Sequence, residues 1–166
     1  MDIITALAIV IGALAAVATW LCLGPAAGVL AVWALFIGWG SFFHTGGKED
    51  GLKKSAIAHI WGAVLAAITL VIIGSAGQGL IVNALLVGIS VFVLVIGAKV
   101  PLLSTIPAAV YGYASTAAAV LLANPAILGN SGAVFKAAAL TALSLIVGNV
   151  FGYASEKIAG ALAKPA

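Results

Sequence analysis

Arginine is absent from this chain of 166 residues, and charge of either sign is scarce, at 7% of the whole. Soluble domains carry about 25% charged residues, so a water-facing surface of this size could not be covered. The net charge of +3 comes from lysines scattered at the ends of apolar runs. That pattern lacks the basic stripe that tracks phosphates, and nucleic acid is not an expected partner. A single cysteine, Cys22, can form no intramolecular disulfide; with no Cys/His cluster beside it, it reads as a small packing residue. Catalytic groupings are missing too. Ser and His occur, but no apolar segment holds a carboxylate to orient a base, and Gly46-Gly47-Lys48 lacks the spacing and the preceding strand of a phosphate-binding loop. The expectation is a protein that is not an enzyme and that uses no cofactor and no metal.

What the chain has in quantity is hydrocarbon, with 64% hydrophobic residues and a mean hydropathy of +1.31. A bilayer core needs about 20 apolar residues at the helical rise, and lipid leaves backbone groups no partner outside a helix or a closed barrel. Six runs fit, at 3–23, 26–44, 55–76, 80–98, 102–123 and 134–155, with the last expected to continue past the bilayer to about 162. Chemical breaks part them: Gly24-Pro25, a charged loop, Gly77-Gln78-Gly79, Lys99-Val100-Pro101, and Asn124-Pro125 through Gly132. The expected fold class is all-α, a polytopic integral membrane protein with one transmembrane domain over 1–166. The first run has no positive segment before it and is too long for a signal peptide, so it is read as a retained span.

The stretch 32–59 fixes orientation. Its loop carries Lys48, Lys53 and Lys54 beside Glu49 and Asp50, and with an even helix count it shares a face with Lys99, Lys157 and Lys164, leaving Lys136 on the other. Positive charge stays inside, so both termini are expected in the cytoplasm of a bacterial inner membrane. His44 and His59 flank this loop and read as solvated interfacial residues, with gating as the sharper alternative. Trp20, Trp39 and Trp61 are expected at the interfaces, with Trp33 deeper.

A five-residue pattern of bulky residue, Gly, aromatic, small residue and Ser occurs three times, as Ile37-Gly38-Trp39-Gly40-Ser41, Tyr111-Gly112-Tyr113-Ala114-Ser115 and Phe151-Gly152-Tyr153-Ala154-Ser155. Small residues let helix backbones approach when lipid removes the hydrophobic drive. Gly38, Gly40, Gly112, Gly148 and Gly152 are therefore candidate packing positions. Trp39, Ser41, Tyr113, Ser115, Asn149 and Tyr153 are candidate lining residues for a solute. The second and fifth segments hold equivalent places in a three-plus-three split, which suggests two inverted repeats, and Pro107 is expected to kink the fifth helix within the membrane.

Phe42-Phe43 followed by Gly46-Gly47 and Gly51-Leu52-Lys53, then Ile106-Pro107 with Gly112, then Leu145-Ile146-Val147 leading to Phe151-Gly152-Tyr153-Ala154, resemble a family of small bacterial inner-membrane proteins of unknown function over nearly the full length. The resemblance implies a compact multi-spanning protein and supplies no ligand or site residues. His44 and the Glu49-Asp50 pair depart from its pattern. With uncharged interiors, the expected function is a channel or facilitator for a small neutral or weakly polar solute, assembled as a homo-oligomer. The alternative is a non-transporting scaffold or accessory subunit that binds another membrane protein.

Overall fold

A computed structural model describes residues 1–76 and 79–163; the Gly77-Gln78 part of one expected break, and Lys164, lie outside them. Six α-helices account for most of the described residues: α1 (Ile3–Leu23), α2 (Val32–His44), α3 (Lys48–Ala76), α4 (Leu80–Ile96), α5 (Ile106–Ala118) and α6 (Ser131–Leu162). Five apolar helical segments are long enough to cross a membrane, and α2 is a shorter one. No strand occurs among the described residues.

Several expected boundaries shift, each for a local reason. The second run is helical only from Val32. Residues 24–31 form successive turns, with Gly28 at a φ of 77°, and the Ala31 N–H donates to Ser144 Oγ at 3.0 Å. At 13 residues, α2 is about 20 Å long, well short of a bilayer core. The charged loop of 32–59 is largely helix as well. α3 begins at Lys48, so the connection to α2 is only Thr45-Gly46-Gly47. Gly46 and Gly47 have φ of 96° and 67°, and Lys48 follows at 58°, a left-handed turn that glycine adopts without strain. Glu49 and Asp50 then occupy the first turn, where carboxylates offset the helix dipole. Pro107 does not kink α5. It lies in that helix's first turn, where its missing N–H would have no helical partner anyway. The chain before it, 97–103, is two 3₁₀ turns, and after Ala118 the helix widens into a π turn over Ala119–Ala123.

Two helix pairs dominate the packing, α2 with α6 and α3 with α5, and both are glycine interlocks. A Cβ on Gly38 would overlap the Leu145 carbonyl, while one on Gly148 would overlap the Leu35 carbonyl and crowd the Trp39 N–H. On the other pair, a Cβ on Gly112 would overlap the His59 carbonyl, while one on Gly62 would overlap the Ala109 carbonyl and crowd the Tyr113 N–H. Backbones in direct contact are how helices associate when apolar burial gives no net gain. α3 also packs along α6, through Ala67 and Leu70 against Val134 and Ala138. α1 closes on α6 through Ala6, Val10 and Ala159. α2 and α5, by contrast, touch only sparingly along their facing sides.

Candidate functional site

Four of the buried polar residues are gathered into one network. Ser41 of α2, Ser55 and His59 of α3 and Asn149 of α6 are all at most 1% exposed, and they close a ring. Ser55 donates to Asn149 Oδ1 at 3.0 Å, and the Asn149 amide N–H donates to His59 Nδ1 at 3.2 Å. An imidazole that accepts at Nδ1 carries its proton on Nε2 when neutral, which makes Nε2–H the donor to Ser41 Oγ at 3.0 Å. The Ser41 hydroxyl is then left to donate to Ser55 Oγ at 2.9 Å. Each member donates once and accepts once around the circle, so the network itself assigns the tautomer. His59 is thus no solvated interfacial residue. The helical start of α3 at Lys48 carries it about three turns inward.

Beside the ring lies the cleft that the sparse α2–α5 contact leaves. It is an open groove of about 580 Å³ lined by Trp33, Ile37, Gly40, Ser41, Tyr111, Ala114, Ser115 and Ala118. No ionisable acid or base lines it apart from the Tyr111 phenol. A Cβ on Gly40 would meet nothing within 4 Å, so Gly40 is not a packing glycine but part of this open wall. The Ser115 hydroxyl, on a residue only 2% exposed, has no hydrogen-bond partner. Ser41 belongs both to the ring and to the cleft lining. At one end, His44 Nδ1 and the Tyr111 hydroxyl are 2.9 Å apart and bridge the two helices. Toward the other, Trp33 also lines a second cavity of about 260 Å³ bounded by Gly28, Ala31, Ala123 and Asn124, where the irregular backbone of 24–31 meets the end of the π turn.

The remaining sequence candidates do not converge on this cleft. Trp39, 4% exposed and inside the bundle instead of at an interface, donates its indole N–H to Ser155 Oγ at 3.1 Å. Trp33 stands in the first turn of α2. The Tyr113 hydroxyl pairs with Ser90 at 2.8 Å. Tyr153 donates to Glu49 at 3.2 Å at the charged end, with Lys157 over its ring. Gly152 gives room to the Phe42 ring, 2.7 Å from where its Cβ would sit. Sequence reasoning missed Ser55 altogether. It also missed Glu156, whose carboxylate accepts the Lys48 N–H at 2.9 Å and fills the space that a side chain at Gly47 would need.

No curated protein and no solved structure matches the chain. A family profile described as protein of unknown function, DUF1097, matches residues 8–160. That match takes in both glycine interlocks, the ring and every cleft residue described above, and the chain belongs to the DUF1097 family.

Proposed function

We propose that this protein spans a bacterial inner membrane six times, both termini cytoplasmic, and passes a small neutral or weakly polar solute through the cleft between α2 and α5. The observation that carries the reading is the pairing of the cleft walls. Ile37 and Tyr111, Gly40 and Ala114, and Ser41 and Ser115 line the same space from matching places in two copies of one motif. Two inverted three-helix repeats would generate that pairing, and further features support them. α2 and α5 are both 13 residues long, and each follows an irregular stretch. Their interlocks also correspond at constant spacing, Leu35, Gly38 and Trp39 to Ala109, Gly112 and Tyr113, and His59 and Gly62 to Leu145 and Gly148. Inverted repeats place solute sites where the halves meet, beside broken helices. An uncharged lining suits a neutral solute and gives no ion a partner at depth.

In this reading Ser41 and Ser115 contact the solute, and the His44–Tyr111 hydrogen bond latches one end. Trp39, Tyr113, Asn149 and Tyr153 hold the walls. His59 supports the wall through Ser41 and does not gate. A homo-oligomer would form through α4, whose Leu85, Ile89 and Phe92 make an exposed stripe. The rival reading, an accessory subunit without transport, has that same stripe in its favour. Stopped-flow swelling of proteoliposomes with urea, glycerol and monohydric alcohols separates the two. Passage predicts flux above empty liposomes that Gly40→Leu abolishes; no solute moving faster than in empty liposomes would overturn it.

A further inference from the structure

We infer that the α2–α5 cleft recognises an uncharged molecule bearing a hydroxyl group on an apolar body, the chemistry of a phenol or a monohydric alcohol. This deepens the site assigned above and rests on that site being open to ligand. Three observations carry it.

First, the ring leaves Ser41 with a defined deficit. Its proton is committed to Ser55, and one lone pair is taken by His59. What Ser41 still offers toward the cleft is an acceptor, and a ligand must bring the proton. Second, Ser115 is buried and unpartnered, so it offers both a donor and an acceptor. A buried hydroxyl without a partner is uncommon in folded proteins and calls for an explanation. A ligand hydroxyl can answer both demands at once, donating to Ser41 while accepting from Ser115. An ether or ketone oxygen accepts from Ser115 but leaves Ser41 unserved, and a carboxylate or ammonium would enter without a countercharge. Third, the rest of the lining is Trp33, Ile37, Ala114 and Ala118 with the open face of Gly40, and Tyr111, whose hydroxyl is already paired with His44. That hydrocarbon gives a polyol nothing for its additional hydroxyls, while an aromatic or aliphatic body is well matched. The volume of about 580 Å³ is within the range of small-molecule pockets.

The experiment uses 4-bromophenol and 4-bromoanisole, which differ at the oxygen by the proton and the methyl group that replaces it. Bromine quenches indole fluorescence on contact, and Trp33 lines the cleft. In detergent-solubilised full-length protein, 4-bromophenol should quench saturably, and Trp33→Phe should remove the saturable part. 4-Bromoanisole should require about fivefold or more higher concentration, the difference expected of one hydrogen bond. Ser115→Ala breaks no hydrogen bond within the protein and takes away a bond that either probe's oxygen accepts, so it should weaken both probes alike and leave that gap. Ser41→Ala removes the acceptor that only the phenol serves and should close most of it. Gly40→Leu, which projects into open space, should abolish saturation for both probes while circular dichroism is unchanged. Quenching that rises linearly with both probes, or a preference that survives Ser41→Ala, would overturn the inference. If the preference holds while proteoliposomes pass no solute, recognition stands and passage fails. Passage without the preference overturns recognition and leaves the conduit standing.

Discussion

At the scale of single residues, neighbouring glycines of one motif have opposite consequences. A methyl group at Gly38 would drive α2 off α6 because the obstacle is the Leu145 backbone, which cannot rotate away. The cost should lie at or above the upper end of the ~1–3 kcal/mol typical of overpacking. At Gly40 the same methyl meets nothing within 4 Å. We expect Gly38→Ala to lower the thermal midpoint in detergent by several degrees and Gly40→Ala to leave it within error; equal midpoints would refute the interlock. The sequence offers both glycines on equal terms, since composition does not say which side of a helix meets a neighbour. Asn149 belongs at this scale also. Removing its amide strands the Ser55 hydroxyl and His59 Nδ1, two buried groups. Each orphan costs about 1–3 kcal/mol in soluble proteins, although polar contacts measured within membranes average nearer ~0.6 kcal/mol. Asn149→Ala should therefore destabilise by about 1–3 kcal/mol in total, readable as earlier unfolding in a denaturant titration. The ring is illegible in sequence because its members are scattered along the chain. His59, close in sequence to the lysines, has the pattern of a solvent-facing residue unless α3 is known to start at Lys48.

At the scale of elements, the apolar runs are legible in sequence and their ends are not. Hydropathy reports which residues avoid water, and it is blind to whether the backbone there is helical or turned. The runs at 26–44 and 102–123 therefore conceal non-helical lead-ins, and Pro107, placed by hydropathy inside a span, opens a helix instead of bending one. Pro107→Ala should accordingly cost little, under about 1 kcal/mol, because no intrahelical bond is recovered or lost at the first turn; a large change would restore the kink. The start of α3 is more sensitive. Glu156→Gln weakens the carboxylate that accepts the Lys48 N–H and should raise amide exchange in the first turn of α3 and nowhere near α1. α1 has its own anchor. Asp2 caps it, accepting from the Thr5 hydroxyl at 2.7 Å and the Thr5 N–H at 2.9 Å, and these bonds, the hydroxyl's first, hold its carboxyl below the ordinary value of 3.8. A lowered folded value means the cap contributes fully above about that pH and is lost as pH falls through the folded value. Exchange at the α1 start should quicken only in that acidic window.

At the scale of the molecule, the two glycine interlocks form the frame, and the ring and the cleft occupy what the frame leaves between α2, α3, α5 and α6. The membrane class is legible in sequence because so few charges can solvate nothing of this size. The sidedness reading is checked by a reporter fused after Ala166, which should respond as a cytoplasmic one; an external signal would refute an even helix count or its orientation. The closed ring has one more effect. A histidine this deep among serines and an asparagine invites comparison with a proton wire, yet the bonds run round a closed circle, and the acceptor left over on Ser41 gives a proton one way in from the cleft and no second end to leave by. Vesicles carrying this protein should accordingly hold an imposed pH gradient as long as protein-free vesicles do, however freely they leak an alcohol.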